Sequence, residues 1–448
     1  MADLYERIKR FQKINQSKQE PCAPPSAEKK PASVPENLLN IPGVVRGNQL
    51  EKIGQERDDR KQRFLATLGV EERSNSAGTY GLREVCYPSR DLSFSCEDIA
   101  GRELVFLTRD PCLASLSPTD YLFIDTETTG LAGGTGTLPF LVGIGYFTEE
   151  GFLVRQYFMR DYDEEPAVLQ ELEAEISRFA ALASYNGKGF DIPLLQSRFL
   201  LNRKRIPITE YPHLDLLFPA RRLWKLCLPD CSLSSVEQGI FHKHRVDDIP
   251  GEQIPYVYFD FLRGTRMQRM RPVLNHNAED IVSLAMLAAK VCRLGRNPFK
   301  EFGHGAELIG LGRAALAHGD FEQACACFEN ALEKGRLEAD LVFLTQRHLS
   351  VLYKRLDLWE KAVYLWRKMI KQPNDCFAFI ELAKYYEHKE KDLAEALFLT
   401  EEALRHMGCR ELQWEQHQLT GNKIADELLH RRRRLLSKNK VKQEQIDS

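Results

Sequence analysis

The hydrophobic pattern changes rhythm along the chain. Between residues 119 and 160 apolar residues fall in short dense runs, "DYLFIDTE", "PFLVGIGYF" and "FLVRQYFM". Runs of this length, rich in β-branched and aromatic residues and bounded by turn formers, predict buried strands. The short "TEEG" between the second and third predicts an antiparallel hairpin. "PAVLQELEAEISRFA" then takes up helical spacing with Pro166 near its start, "ALASYN" returns to strand, and "DIPLLQSRFLLNRK" is again helical. Strands first and strand–helix alternation afterwards predict an α/β domain around a sheet of mixed strand direction. From 215 to 298 the pattern is mostly helical and ends in "AEDIVSLAMLAAKVCRLG".

After about residue 303 strand signals vanish and helix pairs recur. Ala324, Ala362 and Ala396, small residues where two helices must approach, stand 38 and 34 residues apart. Gly312, Phe328 and Ala331 in the first unit, and Tyr353, Trp366 and Met369 in the second, fill out the pattern. It resembles the tetratricopeptide repeat, whose period is about 34 residues and which needs at least about three units to stack. The third unit carries one apparent insertion before Asp392.

Upstream, residues 1 to about 15 predict a short amphipathic helix with Leu4, Ile8 and Phe11 on one side. The Pro-, Ser- and Lys-rich stretch that follows predicts a disordered linker. "NQLEKIGQERDDRKQRFLATLGV" reads as a charged helix and "TYGLREVCYP" as a strand. The expected organisation is an N-terminal helix and disordered linker (1–78), a strand-containing lead-in (79–118), an α/β domain (119–298), helical repeats (303–410) and a basic helical tail (411–448).

Composition narrows the function. A hydrophobic fraction of 43% suits a globular chain. The strongly apolar stretch "LPFLVGIGYF" is too short to span a bilayer, and "MADLYERIKRFQ" lacks the apolar core of a signal peptide, so no membrane and a cytoplasmic location are expected. The eleven cysteines include no two pairs at zinc-site spacing. A net charge of -2 excludes a general polyanion-coating protein but not a local grip on nucleic acid. The basic runs "NRKR", "RGTRMQRMR" and "RRRR", and the loop "HKHRVDD", read as solvated faces.

Three acidic motifs change this picture. Asp125 and Glu127 lie at i and i+2 on a predicted buried strand and so point to one face. Two such carboxylates repel and are costly to bury, and a hard divalent cation relieves both problems. "YNGKGFDIPLL" places Asn186 at a strand end and Asp191 at a helix start, where an Asp also serves as a cap. "HNAEDIVSL" places His276 and Asp280 at i and i+4, on one helical face.

In this order the motifs resemble the DEDD exonucleases of the ribonuclease H-like superfamily, and within it the YprB-like family of predicted exonucleases. The matching segments are "FIDTETTGL", "FLVGIGYF", "YNGKGFD", "DLLFPARRLW", "SLSSVEQGIF", "IPGEQIPYVYFDFL" and "HNAEDIVSLA". The resemblance spans about 119 to 298 and implies a ribonuclease H-like fold with tetratricopeptide-like repeats behind it. It implies hydrolysis of phosphodiester bonds with two Mg²⁺ or Mn²⁺ ions about 3.5–4 Å apart, as a 3′–5′ exonuclease on single-stranded DNA or RNA ends. Asp125, Glu127, Asp191 and Asp280 match its four metal-binding acids. Asp125 would bridge the ions, Glu127 and Asp280 would hold one, and Asp191 the other. His276 stands at the spacing where one class of these enzymes has tyrosine, and is expected to accept a proton or orient water. Thr128, Leu131, Asn186, Phe190, Arg221 and Arg222 are expected at the substrate. Gly133, Gly134 and Gly136 permit close backbone approach, and His213 and Asp215 are expected just outside the metal site. A protein partner is expected on the repeats. Two other readings are a structure-specific endonuclease or resolvase on the same fold, and a non-catalytic nucleic-acid-binding scaffold acting through its repeats. The presence of all four acids speaks against the scaffold.

Overall fold

The computed structural model describes residues 59, 63–130, 136–301, 303–371, 376–408 and 422–446. Of the expected N-terminal helix and linker (1–78), residues 59 and 63–78 are described and include a strand at Val70–Asn75; the rest lies outside these residues, as do Leu131, Gly133 and Gly134. From Arg63 onward the described residues form one compact unit.

Seven strands build one sheet: β1 (Val70–Asn75), β2 (Gly78–Pro88), β3 (Tyr121–Thr128), β4 (Pro139–Phe147), β5 (Gly151–Phe158), β6 (Ala181–Ser184) and β7 (His213–Asp215). Their spatial order is β1-β2-β5-β4-β3-β6-β7. Every pairing from β1 across to β3 is antiparallel, whereas β6 joins β3, and β7 joins β6, in parallel. The sheet is therefore mixed, as the order of strand and helix signals predicts. The hairpin at "TEEG" is closed by Thr148, whose N–H donates to the Gly151 carbonyl at 2.8 Å.

The helices of this part are α1 (Gly101–Thr108), α2 (Glu165–Ile176), α3 (Asp191–Leu201), α4 (Leu217–Trp224), α5 (Leu233–Ile240), α6 (Ile254–Leu262) and α7 (Met270–Arg296). They cover both faces of the sheet, which is why β4 is buried along its whole length and reads as a continuous apolar run. Along β3 the side chains alternate. Tyr121 and Phe123 pack with Leu104 and Leu107 of α1 and with Ile281 and Ala285 of α7. Leu122 and Ile124 pack on the other face with Leu172 of α2, Phe199 of α3 and Phe261 of α6. Each such fully buried side chain contributes about 1.5–3 kcal/mol.

Two glycines of β4 let α7 lie directly on the sheet. Gly143 pairs with Asp125 and Gly145 with Phe123. A Cβ at Gly143 would stand 2.2 Å from Asn277 Oδ1, and one at Gly145 would stand 2.4 Å from Ile281 Cγ2. Both positions therefore require the absence of a side chain because of the helix above them.

The C-terminal part is a stack of helix pairs: α8 (Gly305–His318) with α9 (Phe321–Lys334), α10 (Ala339–Arg355) with α11 (Trp359–Met369), and α12 (Phe377–Tyr385) with α13 (Leu393–His406). Ala324, Ala362 and Ala396 are fully buried, as are Phe328 and Trp366. The insertion before Asp392 is taken up by a π-helical turn, Tyr386–Glu390, continuing α12. A last helix, α14 (Lys423–Ile446), packs on this third pair. Its "RRRR" is not a solvated face. Arg431, Arg434 and Lys438 all reach the carboxylate of Glu387, whose side chain is fully buried within the π turn, and Arg432 reaches Glu401 at 2.7 Å. A buried carboxylate demands such partners.

Two outcomes follow from this packing. Gly143→Ala should lose about 1–3 kcal/mol in denaturant unfolding, because the added methyl meets Asn277 and α7 must lift. Glu387→Ala, which leaves the cations facing an empty pocket, should cost roughly 3 kcal/mol and expose α14 to limited proteolysis before the sheet domain unfolds.

Candidate active site

Strand alternation carries the Tyr121/Phe123 face onward to Asp125 and Glu127, so both carboxylates meet α7. The close seating of α7 then brings His276, Asn277 and Asp280 to them. Nε2 of His276 lies 3.9 Å from Glu127 Oε1 and 3.5 Å from Asp280 Oδ2. One ligand atom from each of Glu127, His276 and Asp280 falls within 4.8 Å of the others. These three side chains are only 12%, 17% and 15% exposed. Asp191 opens α3, where the Thr126 hydroxyl donates to its Oδ1, and its charge lies near enough to raise Asp125 and Glu127.

Asp125, Asp280 and His276 are each held by a partner of their own. Asn277 Nδ2 donates to Asp125 Oδ2 at 2.9 Å, and its Oδ1 accepts from Gln156 Nε2 at 2.9 Å. Gln156 is in turn held by Arg83 at 2.9 Å. Arg245 donates to Asp280 Oδ1 and also binds Glu237 through Nε at 2.7 Å and Nη2 at 2.9 Å. Asp248 Oδ1 stands 2.7 Å from His276 Nδ1.

Burial is the largest influence on all four acids and raises every one of them. Asp125 and Glu127 are pushed well above the usual carboxylate range, further raised by the charges of their neighbours in the cluster. Burial lifts Asp191 to about 6 against the pull of the Thr126 hydrogen bond. Asp280 is raised less freely, because His276 and Arg245 offset its burial. Four carboxylates facing so little positive charge are a poor resting arrangement and a good oxygen donor set for hard divalent cations. The residues present therefore fit the expected ions.

The remaining expected residues are distributed as follows. Thr128 is buried and its hydroxyl donates to the Gly130 carbonyl at 2.8 Å. Asn186, exposed and in the left-handed region at φ 63°, and half-buried Phe190 border the loop that leads into Asp191. Arg222 donates to the Leu107 carbonyl at the end of α1, and Arg221 is exposed on α4. Asp215 caps that same loop, accepting from the backbone N–H of Asn186 at 2.8 Å and of Lys188 at 3.1 Å. His213 shares a 2.8 Å hydrogen bond with Ser184, and burial drives its pKa down to about 3. Arg245 and Asp248 were not legible: "HKHRVDD" is not a solvated loop at Arg245, which is only 7% exposed. The physical reason is Glu237, buried on α5 and needing a cation. Asn277 also escapes sequence reading, since nothing in "HNAED" marks which polar residue faces the sheet.

A family model of the RNase H superfamily matches residues 122–292. Over 344 residues the chain is 35% identical to the uncharacterized protein YprB of Bacillus subtilis (strain 168), an overlap that takes in 73% of this chain and 81% of that protein. The chain belongs to the YprB-like family of the RNase H superfamily. Among solved structures, the family B DNA polymerase of the archaeon Pyrobaculum calidifontis aligns with 46% of this YprB-like chain and 28% of its own, at 14% identity and a TM-score of 0.31. The Cut9–Hcn1 hetero-tetramer of APC/C aligns with 61% of the chain and 56% of its own, at 11% identity and a TM-score of 0.25. Neither likeness is close enough to bear on the site. Membership of the superfamily fits a nuclease hydrolase with a nucleic-acid substrate and divalent metal. No helix among the described residues is long and apolar enough to cross a membrane.

The electrostatics of this YprB-like site give a test with opposite signs. Without metal, Asp125→Asn should stabilise the fold at pH 8, because it removes one of the mutually repelling buried carboxylates. The folded carboxyls have raised pKa values, so the folded chain binds more protons than the unfolded one, and their repulsion grows as pH rises. The gain should vanish near pH 4–5, where the folded site is protonated. With Mg²⁺ or Mn²⁺ added the order should reverse, the parent gaining more in melting temperature than the variant. Thermal melts with EDTA and with each ion check both signs.

Proposed function

We propose that this chain is a metal-dependent nuclease that trims single-stranded DNA or RNA from the 3′ end. The observation that supports it most is the meeting of Glu127 of β3 with His276 and Asp280 of α7, beside Asp125 and with Asp191 of α3 close by, where burial and mutual repulsion call for cations. Divalent cations held there supply the Lewis acidity for in-line hydrolysis of a phosphodiester. The chain's own residues have definable tasks. Asp125 and Glu127 hold their carboxylates on one strand face, with Asp125 fixed by Asn277. Asp191 is oriented by Thr126 and Asp280 by Arg245. His276 turns Nε2 toward Glu127 and Asp280, where that nitrogen is placed to exchange a proton or meet a cation. Asn186 and Phe190, at the lip beside Asp191, are assigned to the terminal nucleotide, with Phe190 offering a ring for a base to stack on.

The repeats are assigned to a protein partner, for which exposed Tyr364 and Phe398 on the second and third pairs offer aromatic anchors. The full chain, incubated with Mg²⁺ or Mn²⁺ and 5′-labelled single strands of DNA and RNA, should give a ladder of successively shorter products. Asp125→Asn should lower the rate at least about 100-fold, or about 2.7 kcal/mol of barrier. A single internal cut would instead make the chain a structure-specific endonuclease, and no cut on any substrate would leave a scaffold.

A further inference from the structure

We infer that His276 is itself a metal ligand, which with Glu127 and Asp280 makes a mixed nitrogen–oxygen site that prefers first-row transition cations, Mn²⁺ among them, to Mg²⁺. This rests on the metal-dependent reading above and sharpens which ion the site takes.

Asp248 Oδ1 lies 2.7 Å from His276 Nδ1. An ionised carboxylate can only accept, so Nδ1 carries the proton. Arg245 Nη1 is also near this nitrogen, but at 3.3 Å it is the longer contact and is itself a donor. Nε2 is therefore the ring nitrogen left to meet a cation, and it faces Glu127 Oε1 at 3.9 Å and Asp280 Oδ2 at 3.5 Å; a cation bound there takes the place of any proton on that nitrogen. Both separations exceed a hydrogen bond. One ring nitrogen and two carboxylate oxygens thus face one another across a small gap.

The gap has the dimensions of an ion. Ligands about 2.1 Å from one cation stand at most about 4.2 Å apart, and 3.5 and 3.9 Å fall inside that limit. His276 and Asp280 lie four residues apart on α7, hence about 40° apart around its axis, which lets both reach one ion. The surroundings are those of a ligand pair. Asp248 orients the imidazole through the nitrogen away from the gap, the usual arrangement for a metal-bound histidine. Arg245 occupies Oδ1 of Asp280 and leaves Oδ2 turned toward the gap. Imidazole is a borderline donor that transition cations accept readily and Mg²⁺ does not, so a nitrogen in the set tilts selection away from Mg²⁺.

The test uses the full chain and Mn²⁺. Free Mn²⁺ is followed by electron paramagnetic resonance during titration, with Mg²⁺ as competitor, and the bound ion is examined by electron spin-echo modulation in natural-abundance and ¹⁵N-histidine-labelled protein. The expected result is a nitrogen modulation that changes on labelling. His276→Gln should remove it and weaken Mn²⁺ binding at least about tenfold, while changing Mg²⁺ affinity less than about threefold. Mn²⁺ bound without a histidine nitrogen signal overturns this inference and leaves the carboxylate site standing. No binding of either ion overturns both. If the variant fails to fold, the labelled parent alone decides.

Discussion

The geometry of the whole site hangs on the contact between α7 and the strand pair β3–β4. Gly143 and Gly145 present no side chain to the helix, and the ideal Cβ positions there fall inside Asn277 and Ile281. A pair of larger residues would hold α7 off by the thickness of a side chain. Asp280 and His276 would then no longer meet Asp125 and Glu127. Glycine weakens a strand by its freedom in the unfolded chain. Here full burial of β4 between two helical layers offsets that cost, and the strand is at the centre of the sheet, where pairing on both sides holds it.

A second regularity concerns charge. The groups that orient the four acids do so with little net positive charge. Asn277 and Thr126 are neutral donors. Arg245 is a cation, but two of its hydrogen bonds go to Glu237, which is itself buried and also takes Lys243 and the Ser283 hydroxyl. Glu237 takes up part of the charge of Arg245, so the pair fixes Asp280 and offsets the repulsion among the carboxylates only in part. A lone arginine at that place would compete with a divalent ion for the same oxygen. Paired, it acts as scaffolding. The same reasoning explains why Glu237 is so deeply buried on a short helix that otherwise shows apolar residues to the core.

What could be read from the sequence divides along physical lines. Strands buried on both faces, such as β3, β4 and β5, announce themselves because burial imposes unbroken apolar runs. The three acidic motifs were legible because their spacing encodes a shared face. β1 was not legible: after Val70 its "EERSN" is polar on both faces, as an edge strand can be. Arg245, Asp248 and Asn277 were hidden for a different reason. Their contacts to the cluster are with residues 28 to 152 positions away, and no local pattern records such pairings. "RRRR" misled in the same way, since its carboxylate partner lies 44 residues before it for Arg431. Periodicity reports burial of apolar surface and is silent on buried charge.

The helical repeats are not a separate body on a tether. Gly310 of α8 lies so close to α4 that a Cβ would stand 2.5 Å from the Arg222 carbonyl, and Trp224 donates its indole N–H to Glu307 at 3.0 Å. α4 begins immediately after β7, and Asp215 at the end of β7 ties down the loop that carries Asn186 and leads to Asp191. The first helix pair thus rests on the element that sets one wall of the site. Both contacts are buried, one needing glycine and the other a matched donor and acceptor, so neither tolerates sliding. Anything bound on the repeats is consequently held at a fixed orientation to the four acids, and the length of the stack becomes a fixed offset between where a ligand is gripped and where the carboxylates lie.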